Sequence, residues 1–283
     1  MIRFQRKIPL IEIPAGHVTN RRFRGFTIFV AIVVVLILIA PDLTPYDPFA
    51  TVLSERFLPP GSEGHILGTD NLGRDILSRI MAGGRASLLA GFSVTGIVFA
   101  AGTILGVIAG YFGGAADAVI NKITTIFQAF PSFVLAIAIA GILGPGLGKA
   151  ILALALVYWT TYQRLARSMT ISVREREFVY SARLCGAGRA AVIGKYILPE
   201  ILPQMLITAM LDIGNVILSL AALSFIGLGT VRPTAEWGAM MSESRSYLQQ
   251  AAWTIVIPGI AIFIVVIVFN LYGDIVRNKV KDA

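Results

Sequence analysis

The 283-residue chain has one cysteine, Cys185, and two histidines, His17 and His65. A lone thiol excludes an intrachain disulfide framework and a cysteine-based zinc site, and two histidines alone do not complete a histidine site. No metal centre is expected. Charge is scarce as well: 14% of residues are charged, against roughly 25% in an average soluble domain, while 56% are hydrophobic and the mean hydropathy is +0.77. Such a composition belongs in a bilayer. The net charge of +8 does not require nucleic acid as a partner, because basic residues of membrane proteins gather on cytoplasmic segments. Nor does the first apolar run end as a secretory leader does. It continues to Ala40 and meets Pro41-Asp42 rather than a small-x-small cleavage site, and so reads as a retained span.

Six runs approach the roughly 20 apolar residues that cross about 30 Å of hydrocarbon. They are residues 26–40, 86–111, 119–143, 150–162 with neighbours on either side, 201–228 and 253–272. The third is diluted by Asn121, Lys122, Gln128 and Pro131. With six spans, three basic groups fall on one side. Arg3, Arg6, Lys7, Arg21, Arg22 and Arg24 precede the first run; Arg164, Arg167, Arg174, Arg176, Arg183, Arg189 and Lys195 surround the fourth-to-fifth loop; Arg277, Lys279 and Lys281 follow the sixth. The positive-inside rule then puts both termini in the cytoplasm of a multi-pass protein of the cell membrane. The expected organisation is all-α. A cytoplasmic tail (1–25) leads to a first transmembrane helix (26–40) and an extracytoplasmic loop (41–85). A core with five further transmembrane helices and a cytoplasmic loop at 169–199 spans 86–275, and a cytoplasmic tail occupies 276–283.

Three segments between the spans carry recognisable patterns. In the first external loop, GTDNLGRD at 68–75 is followed by Ser78-Arg79; Gly68 and Gly73 permit unusual backbone, and Asp70, Arg74, Asp75 and Arg79 either pair locally or present a surface. A second external segment, 229–252, contains PTAEWG at 233–238, preceded by SFIGLG at 224–229. Its Trp237 suits a membrane interface, and Glu236 and Glu243 are acids on a loop. The cytoplasmic segment at 180–199 reads YSARLCGAGRAAVIGKYILP. Around it Val173, Phe178 and Leu184 leave one apolar stripe among Arg and Glu, while Gly186 and Gly188 break the helix.

This last segment resembles the cytoplasmic "EAA" loop of ATP-binding-cassette (ABC) import permeases, whose pattern is Glu-Ala-Ala, three residues, Gly, and a spacer closing on Leu-Pro. Tyr180, Ser181 and Ala182 take the first three positions, with Tyr180 replacing the acid; Gly186 takes the glycine, and Leu198 and Pro199 the close. GTDNLGRD, SFIGLG and PTAEWG resemble, in order, the signatures of the dipeptide, oligopeptide and nickel branch. The resemblance implies a six-helix type I importer permease and a loop that sits in a groove of an ATPase. It makes Phe178, Ser181, Ala182 and Gly186 the contact candidates, with Leu198 and Pro199 closing the element. It also implies the partners: a second related permease, two cytoplasmic ABC ATPase subunits or domains, and an extracytoplasmic solute-binding protein. For the last, Asp70, Arg74, Asp75 and Glu236 are candidate facing residues.

No catalytic residues and no cofactor of its own are expected in this subunit. GPGLGKA at 144–150 fails as a phosphate loop, since Leu143 stands where the leading glycine belongs and Ala150 replaces the Mg²⁺-binding hydroxyl; ATP and Mg²⁺ therefore belong to the partner ATPases. Within the spans, Asp212 is costly in hydrocarbon, by roughly 2.5–3.5 kcal/mol on insertion scales, so it faces either the solute path or a hydrogen-bond partner. Asn215 and Gln128 are candidates for the same path, and Pro131 makes the third run kinkable. Gly102, Gly106 and Gly110 have the spacing of close helix packing. The cargo is a small peptide, nickel or a metal chelate. An ion-coupled secondary transporter is the alternative, for which Asp212 is the only suggestive residue and the usual internal repeat is missing.

Overall fold

The computed structural model describes residues 20–281, and the side chains of residues 23–279. Most of the tail expected at 1–25, with its basic residues, lies outside the described residues. Helix α1 (Asn20–Ile39) is followed by an irregular loop and then α2 (Ile76–Phe112), which is 37 residues long. The start of α2 lies ten residues before its apolar run because Asp75 caps it, accepting from the backbone N–H of Ser78 at 2.7 Å. Next come α3 (Gly114–Gln128), α4 (Ser132–Leu143) and α5 (Leu147–Arg174). Then follow α6 (Glu177–Leu184), α7 (Arg189–Val192), one π-helical turn (Ile193–Ile197) and α8 (Leu198–Phe225). The chain ends with α9 (Trp237–Ser244) and α10 (Trp253–Lys281). Among the described residues the regular structure is helical, as expected.

The third run is not one continuous helix. It breaks at residues 129–131, and α3 and α4 meet at 88°. Pro131 sits at the N-cap of α4, where its missing N–H costs nothing, and the residue before a proline is pushed out of helical geometry. The angle itself is set by packing: α3 is tied to α5 by Arg167 on Asp117 (2.5 and 2.6 Å) and by Thr124 on Gln163 (3.0 Å). Four segments are long and apolar enough to cross a membrane, namely residues 23–43, 76–112, 189–225 and 253–279, and the bent pair makes a fifth. Helix α5 has the length for a sixth, at 28 residues, but Arg164, Arg167 and Arg174 polarise its second half. The expectation of six spans is thus met by composition for five at most.

Helices α2, α4, α5 and α8 surround one core, with Val94, Val98, Leu154, Val157, Tyr162 and Met205 buried in it; α1, α2, α8, α9 and α10 build a second around Leu88, Ile217, Trp237 and Phe269. The α2–α5 contact runs backbone to backbone. A Cβ added at Gly102, Gly106 or Gly110 would lie 2.7 Å from Trp159 O, 2.5 Å from Gln163 O and 2.8 Å from Arg167 O respectively. These glycines exist for close packing. By contrast α1 leaves Ile28, Ile32 and Leu36 more than half exposed, an apolar surface suited to lipid.

Candidate functional site

The bend before Pro131 brings Ser132 and Phe133 onto the wall of a cavity of about 340 Å³ between α2, α4, α5 and α8. Tyr158, Thr161 and Tyr162 line it from α5, Asp212, Asn215 and Val216 from α8, and Val98 from α2. Both groups of three have i, i+3, i+4 spacing, so each is one helix face. Asp212 is half-buried midway along α8, with the buried Tyr162 hydroxyl and the Asn215 side chain beside its carboxylate. Tyr158 is fixed to α8 through Ser219 at 3.0 Å. Of the three intramembrane candidates, Asp212 and Asn215 share this cavity; Gln128 ends α3 and is not part of the lining. The sequence reading missed Tyr158, Thr161 and Tyr162, whose common face was the available signal.

On the other side of α5, two residues lead into α6. Its inner face is anchored: Val179 packs with Val107, Val173, Val192, Ile197 and Ile201, and Ala182 is buried. Its outer face is bare, with Phe178 41% and Leu184 71% exposed. Gly186 ends the helix in the left-handed region at φ 83°, where the N–H of Ala187 donates to Ala182 O and that of Gly186 to Arg183 O, each at 3.0 Å. That double bond pattern is a Schellman cap, and it is the reason for a glycine. Phe178, Ser181, Ala182 and Gly186 come together, with Cys185 and Tyr196, around an open groove of about 620 Å³. Leu198 and Pro199 stand apart from it. They start α8, where Pro199 lacks an N–H that the first turn would leave unpaired, and Leu198 packs on the inner cluster.

On the external loops the nominated residues are interior. Asp70, Arg74, Asp75 and Glu236 are between 1 and 5% exposed and spend their polar atoms within the chain. Arg74 bonds Asp70 at 2.7 Å and Glu243 at 2.5 Å; Arg79 adds a 3.2 Å bond to Glu243. Glu236 caps α9, accepting from the N–H groups of Gly238 and Ala239, each at 2.9 Å, and from Ser87 at 3.1 Å. Local pairing is therefore what these side chains do, and a surface for a binding protein must be made by others. Trp237 is likewise no interfacial anchor: it is 3% exposed, donates to Ile80 O at 3.0 Å, and lies against Gly83 and Gly84. The turn at 144–146 joins α4 to α5 and is pinned to the SFIGLG segment by Gly146 N–H donating to Gly229 O at 2.6 Å.

This arrangement, a largely apolar cavity with a few polar groups between helices and a partly exposed helix two residues beyond the end of α5, can be compared with known proteins. Residues 102–282 match the family described as binding-protein-dependent transport system inner membrane component. The chain belongs to that family. The permease is 41% identical over 251 residues to the nickel transport system permease protein NikC of Escherichia coli K12, covering 89% of this chain and 90% of that protein. It is 39% identical over 282 residues to the dipeptide transport system permease protein DppC of Haemophilus influenzae, covering 98% and 96%. Among solved structures, the MetNI methionine ABC transporter in inward-facing conformations aligns with a TM-score of 0.56 at 20% identity, over 68% of this chain and 92% of that one, a likeness of fold. The protein is thus a membrane subunit of an ABC importer, a transport component rather than an enzyme, and it works with ATPase and substrate-binding partners.

Proposed function

We propose that this permease forms half of an alternating-access path, completed by a second, related permease, and that two cytoplasmic ABC ATPases drive it through α6 while an extracytoplasmic binding protein delivers cargo. The observation that carries the reading is α5. This one helix presents Tyr158, Thr161 and Tyr162 to the cavity and, two residues after its end, becomes the exposed helix α6. Closure of the ATPases on Phe178, Ser181, Ala182 and Gly186 would be felt directly at the cavity wall. ATP and Mg²⁺ stay with the partners. The lining offers hydroxyls, one amide and one carboxylate, with no histidine or thiol, too few donors in this half to strip a bare transition metal of its ligands. That favours cargo carrying its own polar shell, a small peptide or a chelated metal, as the named substrates of the relatives suggest.

The carboxylate provides the test. Asp212→Asn preserves shape and hydrogen bonding, so complex assembly and ATPase activity are expected to persist while uptake of a cationic chelate or peptide falls about tenfold, the loss of about 1.4 kcal/mol of attraction along the path. Asp212→Leu is expected to impair assembly as well. Parent-level uptake by Asp212→Asn of every cargo tried would remove the charge from the mechanism.

The orientation is tested separately. The basic residues around α6 support an orientation with α6 and both termini in the cytosol. In a Cys185→Ser background, thiols introduced at the exposed positions Glu63 and Gln249 are expected to react with an impermeant reagent from outside intact cells, and a thiol at Ser172 only after lysis. Labelling of Ser172→Cys in intact cells would reverse the topology.

A further inference from the structure

Three arginines converge on one pocket at the cytoplasmic ends of α2 and α5 without a carboxylate in its lining. Arg174 closes α5, Arg183 lies in the last turn of α6, and Arg189 begins α7; with Tyr111, Phe112 and Ala187 they enclose about 460 Å³. Two of the cations are held in place through the uncharged Tyr111. Arg174 donates to Tyr111 O at 3.1 Å, and the Arg183 guanidinium lies 5.3 Å above the Tyr111 ring. Among the acids at this end of the molecule, Asp117 bonds Arg167, Glu200 bonds Arg176 and Asp274 bonds Arg277, while the exposed Glu175 and Glu177 stand outside the pocket lining. The positive-inside rule explains cations on this side of the membrane, but not three of them in one concavity, where a bound anion would offset their mutual repulsion.

The depth of the pocket identifies the anion. Tyr111 and Phe112 are the last residues of a span, and Phe112 is 50% exposed, so the pocket floor sits where aromatic residues mark the headgroup layer. Guanidinium groups in a fork suit phosphate oxygens. The ATPase-facing groove is on another side of α6, since Arg183 follows Ser181 by about 200° around the helix, and of the two linings only Ala187 is common. We propose that Arg174, Arg183 and Arg189 form a binding site for the phosphate of an anionic phospholipid of the cytoplasmic leaflet. Occupied, the site ties the ends of α2, α5 and α6 to the membrane plane. Only the choice of leaflet rests on the orientation proposed above.

The test uses the purified, assembled transporter in detergent, titrated with dioleoyl phosphatidylglycerol or dioleoyl phosphatidylcholine and examined by native mass spectrometry. One phosphatidylglycerol per copy of this chain is expected to be retained preferentially. Arg183 and Arg189 are solvent-exposed, so R183Q/R189Q should fold; it is expected to bind phosphatidylglycerol on the order of 30-fold more weakly, and R183K/R189K to recover most of that loss. Millimolar inorganic phosphate is expected to leave the bound lipid in place. Equal retention by parent and R183Q/R189Q, or equal retention of the two lipids, overturns the proposal. Displacement by inorganic phosphate would assign the pocket to a soluble anion, and loss of the ATPases from R183Q/R189Q in neutral lipid would assign the arginines to that interface; either result also overturns it.

Discussion

A Gly186→Trp permease is expected to insert and fold normally, yet to lose ATP-driven uptake by on the order of 100-fold, as an overpacked interface that forfeits about 3 kcal/mol would. The reason lies in what surrounds this glycine. A Cβ there meets nothing within 4 Å inside the chain, so a side chain starts into open space. The indole projects into the groove lined by Phe178, Ser181 and Ala182, where the ATPase is proposed to sit. One complication is the backbone. At φ 83° any L-side chain carries a penalty of about 1–2 kcal/mol. Gly186→Ala has the same penalty without the bulk, and it is expected to keep most of the uptake. Proteoliposome uptake and co-purification of the ATPase, measured on both variants, separate strain from obstruction. If Gly186→Trp assembles and transports like the parent, α6 is not the coupling element.

The second large effect is expected at Glu243, which is 9% exposed and meets Arg74 at 2.5 Å, Arg79 at 3.2 Å and Arg232 at 3.4 Å. Arg74 and Arg79 are 3 and 1% exposed, and after Glu243→Gln both would share Asp70 as their remaining paired acid. Breaking a buried pair from one side costs about 3–5 kcal/mol, because it strands a charge in a poorly solvated place. The purified variant should therefore melt several degrees lower, with residues 41–75 becoming sensitive to protease first. Arg232→Gln is the control: its side chain is 64% exposed, and surface pairs contribute about 0–1 kcal/mol. An unchanged melting temperature in Glu243→Gln would mean that the external loops are anchored by something other than this cluster.

Both sites show where sequence reading succeeds. Gly186 was legible because a helix stop has a local signature, and the structure gives it a Schellman cap. The runs that became α2, α8 and α10 were legible because length and apolarity are properties of one segment. Pro131 announced a break, but not its 88°, which depends on Arg167 and Gln163 in a later helix. The external residues were harder still. Glu243 finds Arg74 across 169 positions, and Trp237 finds Ile80 across 157, so an acid that looks solvent-facing and a tryptophan that looks interfacial in their own loop are interior in the fold. The cavity lining divides in the same way: Asp212 stood out for its cost in an apolar run, whereas Tyr158, Thr161 and Tyr162 became significant only once α4 and α8 faced them.

The glycine seam between α2 and α5 has a mechanical consequence. Helices whose backbones touch at three successive levels have no layer of flexible side chains between them, so they resist sliding and act as one stiff strut. Helix α2 alone is about 56 Å from end to end, and it begins beside the Arg74–Glu243 lock and finishes at Tyr111 above α6. If α6 receives the proposed push and passes it to α5, α2 shares it at once, and it reaches the opposite surface as a tilt of the whole bar rather than as a local rearrangement. Bending is then easiest where a proline interrupts a helix, at Pro203 of α8 and Pro258 of α10.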